Sequence, residues 1–372
     1  MPGRVRMLPL LVLLVVALSV PPAASAATLP GSLISVSPLP AQLWLPGTAR
    51  AHHVHYWSTG LRDEPVPVTG AIFVPEGNPP PGGWPILSWA HGTVGLGDDC
   101  APSTAGRSAR DIEYLAHWLS QGYVIVASDY LGLGAPGLHP YLIGEPTAYS
   151  VIDMVRAAVA ADPALSRKWA VIGQSQGGHA TLFTTRLAPS YAPDLDFRGG
   201  VGTGVPSHLE YLISATGPWL PDIGQPGLTV FVSYIIASLR AAYPEAHIDS
   251  YLSPLGRSVI ADAEHLCYWE QHARVRGIGI GSLFSRQLTD APFFTAIRDA
   301  MEVPVSGYER PFFIAQGGVD VVVWAPLTEL LAAQLRATGQ PAAVRYYPND
   351  NHDSTMAASL GDTTPFLARL MR

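Results

Sequence analysis

The sequence is short of cysteine, of charge and of long apolar runs, and each shortage closes off a class of function. Only two cysteines, Cys100 and Cys267, occur in 372 residues, which permits one disulfide and excludes a cysteine-rich metal site. Charged residues make up 14% of the chain, and 22 Lys and Arg against 29 Asp and Glu leave a net charge of −7. No cluster of basic residues offers the positive face that nucleic acid requires, so no such partner is expected. Low charge density fits an exported protein handling neutral or apolar ligands. No second stretch of 18 apolar residues follows the N-terminus, because Gly (36) and Pro (35) interrupt the candidates. These follow no G-X-Y period, so the chain is not collagen-like, and no internal repeat is present. What remains, with 48% apolar and 9% aromatic residues, is too apolar for disorder. It suffices for one large α/β domain, or a core domain with an insertion.

Residues 1–26 read as a secretory signal. Arg4 and Arg6 form a positive start, Leu8 to Val20 a largely apolar run of 13, and Ala24-Ser25-Ala26 a small-residue cleavage site. That run is shorter than the roughly 20 residues a spanning helix needs. Cleavage after Ala26 and a secreted, extracellular product are expected. An oxidising destination favours a Cys100–Cys267 disulfide.

Beyond a proline-rich leader (Pro30 to Pro46), strands are expected at Ala51 to Ser58 and Pro67 to Val74, joined as a hairpin. Trp84 to Ala90, Tyr123 to Ala127, Trp169 to Gly173, Phe197 to Val205, Arg310 to Ala315 and Ala342 to Tyr347 read as further strands. Between them, Ser108 to Gln121, Ala148 to Ala161, Gln176 to Leu187 and Leu327 to Thr338 have helical periodicity, and a last helix runs near Thr363 to Met371. This alternation implies a mainly parallel sheet covered by helices on both faces. The interval 207–304 breaks the rhythm and reads as a helical cap inserted between core strands. The core is then 27–206 and 305–372.

Gly173-Gln174-Ser175-Gln176-Gly177 is a G-x-S-x-G motif set between a strand and a helix, the context in which it forms a nucleophile elbow. The turn is so tight that side chains two before and two after the serine would clash. It also lifts the hydroxyl over a helix N-terminus, where partial positive charge favours an oxyanion. A serine hydroxyl needs a base and the base an orienting acid, in the chain order serine, acid, histidine. His352 lies beyond the last strand and Asp320 follows a strand and a Gly pair, so Ser175, Asp320 and His352 are the expected triad. Asp350 and Asp353 are alternatives for the acid, but sit too near His352 in sequence to turn back onto its ring. The N–H of Gln176 is the expected oxyanion donor, and His91-Gly92 after the first core strand is a second candidate region. His52, His53 and His55 alternate along a strand, and a solvated face is a better reading there than a metal site. Gly132-x-Gly134 lacks the acid that a nicotinamide site would need. Neither metal nor organic cofactor is expected.

Several segments resemble one family. Tyr56-Trp57-Ser58-Thr59, Pro67 to Pro75, Asp99-Cys100-Ala101-Pro102-Ser103, Ser128-Asp129-Tyr130-Leu131-Gly132, the elbow Gly173 to Gly178, Gly318-Val319-Asp320 and Asn351-His352 are similar to the secretory lipases of the Candida lipase A type. His91-Gly92-Thr93 looks closer to bacterial esterases. The resemblance implies an α/β-hydrolase fold with a helical cap and a triad of Ser175, Asp320 and His352. It also implies a bridged Cys100, and an oxyanion hole built from Asp129 and the residue after the nucleophile, here Gln176, with Thr93 as the alternative to Asp129.

The expected activity is hydrolysis of small-molecule or lipid carboxylic esters through an acyl-enzyme, with transient contact at lipid surfaces. A peptidase or acyltransferase would carry the same motifs, and a non-catalytic binding protein could share the frame. Cap residues Leu220, Ile223, Phe231 and Ile236 are expected to line an acyl-binding region.

Overall fold

The computed structural model describes residues 28–288 and 291–372. The proposed signal segment, 1–26, lies outside the described residues. Among the described residues nine strands form one sheet: β1 (Leu33–Pro38), β2 (Thr48–Thr59), β3 (Pro65–Pro75), β4 (Trp84–Ala90), β5 (Val124–Ser128), β6 (Leu165–Gln174), β7 (Asp196–Thr203), β8 (Phe312–Gly317) and β9 (Ala342–Tyr347). Their order is β1-β2-β3-β5-β4-β6-β7-β8-β9. The first three pair antiparallel with one another and with β5, and every pair from β5 to β9 is parallel. The mainly parallel sheet is therefore as expected. β1 is an addition, because it lies inside the proline-rich leader, where no strand was expected. Its prolines stand at or beyond its ends, and as an edge strand it needs to pair on one side only.

Alternation along each strand sends side chains to opposite faces, and a separate core fills each. On one face Val54, Tyr56, Ile72, Val126 and Val171 pack with α2 (Gly144–Ala161) and α3 (Gln176–Tyr191). On the other, Phe73, Leu87, Trp89 and Ile125 pack with α1 (Ala109–Ser120) and α10 (Leu360–Leu370). Helix α9 (Ala325–Ala337) covers Phe312 and Ile314 of β8. Ser108 caps α1, its hydroxyl accepting the Asp111 N–H at 3.2 Å.

Between β7 and β8 come α4 (Leu209–Ser214), α5 (Pro226–Ala242), α6 (Pro254–Ala263), α7 (Tyr268–Arg274) and α8 (Ala291–Met301). They close around a third core that includes Val230, Tyr234, Ile236, Val259, Ile260 and Ile297. Leu96, Tyr141, Leu142 and Ile143 from the loops after β4 and β5 join that core, which fastens the helical segment over one end of the sheet. No single helix among the described residues is long and apolar enough to cross a membrane. Cys100 and Cys267 form the disulfide, joining the loop after β4 to the start of α7. Around it, Gly95 bridges Cys267 and the Tyr268 N–H donates to the Val94 carbonyl at 2.8 Å.

Candidate active site

Strand β6 enters a turn in which Ser175 has φ 57° and ψ −121°, outside the regions a side-chain-bearing residue ordinarily adopts. Two glycines make the turn possible. A Cβ on Gly173 would overlap the Gly177 carbonyl, and one on Gly177 would overlap the Ala90 carbonyl at the end of β4. The Ser175 N–H is held by the Thr203 carbonyl at 2.9 Å. Its hydroxyl makes no hydrogen bond among the described residues, and the residue is 8% exposed at the floor of a cavity.

Asp320 and His352 reach the site on two loops whose backbones lie against each other. Gly317 and Gly318 permit this, since a Cβ on Gly318 would sit 2.7 Å from Pro348 Cα and oxygen. Hydrogen bonds from the N–H of Gly318 to Tyr347 (2.8 Å) and of Val319 to Asp350 (3.1 Å) lock the pair. The Asp320 side chain is fully buried. One carboxylate oxygen accepts the Val322 and Val323 N–H groups, both at 2.8 Å, and the other accepts His352 Nδ1–H at 2.7 Å. Those bonds fix the ring with Nε2 as the free, basic nitrogen. No group among the described residues takes Nε2. The ring rests on Gly204, where a Cβ would stand 2.9 Å from Cε1 and Nδ1, and Gly204 follows the Thr203 that holds Ser175. The Gln174 side chain donates to the His352 carbonyl at 3.4 Å and accepts from Arg110, which also pairs with Asp353. Asp350 accepts the Ser354 hydroxyl at 2.8 Å, so both sequence-adjacent acids point away from the ring.

Of the expected oxyanion residues, Gln176 opens α3, and its N–H has no partner among the described residues, as the first turn of a helix leaves it. The Thr93 N–H is likewise uncommitted among the described residues. Asp129 differs: its N–H donates to the Thr69 carbonyl at 2.9 Å, and its carboxylate accepts the Thr69 hydroxyl (2.7 Å) and Ser103 N–H (2.9 Å). It ties β3, β5 and the loop after β4 together. His91 is buried with its ring nitrogens against the Gly92 and Asp129 carbonyls, and burial lowers its pKa. His53 meets the Ser103 hydroxyl at 3.1 Å and packs edge-on against His55.

The cavity above Ser175 measures about 330 Å³ and is walled mostly by apolar side chains of the helical segment, including Leu220, Ile223, Leu228, Phe231 and Ile235. Ile236, expected among them, instead faces the core of the helical segment at 0% exposure, one position round α5. Sequence reasoning did not single out Gly204, or Gln174 as a support for the histidine loop, or Tyr141 on the cavity wall. Only their place after sheet strands could have suggested them.

A family model described as "Secretory lipase" matches residues 103–278, a little under half of the chain. Lipase A of Moesziomyces aphidis is 26% identical over 318 residues, 80% of this chain and 63% of its own. A probable inactive lipase of Mycobacterium tuberculosis is 24% identical over 263 residues, 66% of this chain and 56% of its own. The chain thus spans about three-fifths of the length of these two relatives. Among solved structures, Candida antarctica lipase A in its closed state superposes with a TM-score of 0.76 at 22% identity, over 92% of this chain and 82% of that one. The fold is the α/β-hydrolase fold.

Proposed function

We propose, from the premise that this chain belongs to the secretory lipase family, that it is a secreted serine hydrolase of carboxylic esters. The observation carrying this reading is the 2.7 Å bond between Asp320 and His352 Nδ1, with the histidine ring on Gly204, next to the Thr203 that holds Ser175 in a strained turn at the floor of an apolar cavity. Secretion is supported by the disulfide, which oxidising compartments favour, and by the signal-like residues 1–26.

In this reading the Ser175 oxygen attacks the ester carbonyl while His352 Nε2 takes its proton, and Asp320 stabilises the imidazolium. The carbonyl oxygen, now negative, receives the N–H groups of Gln176 and Thr93. Thr93 is preferred over Asp129 because the Asp129 N–H is committed to Thr69. His352 then protonates the departing alcohol, leaving an acyl group on Ser175. Water, deprotonated by the same nitrogen, attacks that acyl group and restores the serine. The chemistry calls for no cofactor.

Residues 207–304 act as the cap, and the cavity under them takes the acyl chain. Its walls offer dispersion contacts and few hydrogen-bonding groups, which suits a hydrocarbon chain. Peptide substrates would bring backbone N–H and C=O groups that such walls leave unpaired.

The test is hydrolysis of p-nitrophenyl esters across acyl lengths, against aminoacyl amides, by the wild type and by Ser175→Ala. Hydrolysis of the esters alone, reduced at least about 10³-fold in the variant, is expected. Turnover kept above about one-hundredth of wild type would mean another nucleophile.

A further inference from the structure

Two residues of one short loop hold the side chains of the two residues whose N–H groups are assigned to the oxyanion. His139 is completely buried, and burial pushes its pKa down to about 3, so the ring is neutral at working pH. Its Nδ1–H donates to the Leu131 carbonyl at 3.0 Å, which leaves Nε2 to accept the Gln176 side-chain amide at 2.6 Å. Two residues on, the Tyr141 hydroxyl meets the Thr93 hydroxyl at 2.7 Å. Tyr130 lies stacked between His91 (4.2 Å) and His139 (5.6 Å) and donates its hydroxyl to the His91 carbonyl at 2.9 Å. The loops bearing Thr93 and His139 are therefore braced across one ring.

Beyond its apolar packing on the helical segment, the same loop is hydrogen-bonded twice by one side chain of that segment. Ser238 of α5 donates to the His139 carbonyl at 3.0 Å and accepts the Tyr141 N–H at 2.7 Å. The bonds to Gln176, Thr93 and Ser238 are all buried or half-buried, where a lost partner costs more than it does in water.

We infer that His139 and Tyr141 are positioning residues for the oxyanion hole, aligning Gln176 and Thr93, and that Ser238 makes that alignment depend on the seating of the cap helix. This rests on the hydrolase reading above. Neither residue donates to the oxyanion itself. Each instead fixes the side chain of the residue whose N–H does, and misplacement of such a donor weakens transition-state binding while leaving ground-state binding nearly intact.

The experiment compares Tyr141→Phe, His139→Phe, His139→Gln and Ser238→Ala with wild type on p-nitrophenyl butyrate, with active sites counted by a fluorophosphonate. Tyr141→Phe and His139→Phe are expected to lose about tenfold in kcat per labelled site, short of the 10²–10³ that deleting a donor costs. KM should stay within about twofold. Affinity for an alkylboronic acid, which becomes tetrahedral on the serine, should fall with kcat. His139→Gln keeps an acceptor for Gln176 and should recover part of the loss, and Ser238→Ala should lose about threefold. Tyr141→Phe removes one oxygen only and keeps the test open if the histidine variants fail to fold. If the folded variants keep kcat per labelled site and boronate affinity within about twofold, the inference is overturned and the hydrolase reading stands. A wild type that neither hydrolyses the ester nor takes up the phosphonate would overturn both.

Discussion

Removing the disulfide by a Cys100→Ala/Cys267→Ala double substitution separates its effect on the unfolded chain from its effect on the cap. The bond spans 167 residues of sequence. In the chain-entropy model a ring of that size removes roughly 5 kcal/mol of unfolded-state freedom, a large part of the ~5–15 kcal/mol by which domains are stable. With an unfolding entropy near 2.1 cal/mol/K per residue, that becomes a fall in Tm of about 7 °C for a chain of this length. Native geometry should change little, because neighbouring contacts hold the same seam. The Gly95 bridge to Cys267 and the bond from Tyr268 N–H to the Val94 carbonyl survive the substitution, and Gly97 packs directly on the His265 carbonyl. Urea and thermal unfolding should therefore show the full loss, while kcat on a short-chain ester at 25 °C stays within about twofold. A Tm shift under about 2 °C would refute the entropic account. A tenfold loss of kcat well below the transition would show that the bond, not its neighbours, holds the cap in place.

Other substitutions probe the elbow, the cavity and one buried histidine. Gly177→Ala places a methyl on the Ala90 carbonyl, so ester turnover should fall at least about 10²-fold through displacement of the elbow; near-normal kcat would mean the turn is not constrained. Leu228→Phe narrows the cavity wall and should lower the ratio of long- to short-chain ester turnover severalfold, the opposite shift arguing that acyl chains lie elsewhere. His179, buried against the Met301 carbonyl, has its pKa lowered by burial to about 4. Between pH 6.5 and about 4 the unfolded chain binds a proton there that the folded chain does not, so stability falls as pH falls through that window. Tm measured from pH 7 to 4.5 should drop less steeply in His179→Gln, and parallel slopes would contradict the assignment.

The parts of the fold that could be read in the sequence were those written in short-range pattern. Buried strands such as Val124–Ser128 are continuous apolar runs, and β4 and β9 lie where composition put them. The elbow is legible because its glycines answer a steric demand made within five residues. β1 was not legible, since edge pairing with β2 is a tertiary event and its flanking prolines argue locally against a strand. Ile236 was placed on the cavity because apolar residues all round α5 conceal which stripe faces which core. Asp129 was named for the oxyanion hole by the family resemblance. What commits its N–H is Thr69, sixty residues earlier, and no local pattern carries that pairing. Nothing local marks His139 or Tyr141 either, since their partners Gln176 and Thr93 are distant in sequence.

In the proposed function, Ser175 is the nucleophile of an acyl-transfer site completed by His352 and Asp320. Its most direct test is incubation of the purified protein with an alkyl fluorophosphonate, followed by intact-mass and peptide mapping. One adduct per chain is expected, on the peptide containing Ser175. Labelling should be abolished in Ser175→Ala and slowed at least about 10²-fold in His352→Ala, where the base is gone. An unlabelled wild type, or an adduct on any other residue, would contradict it.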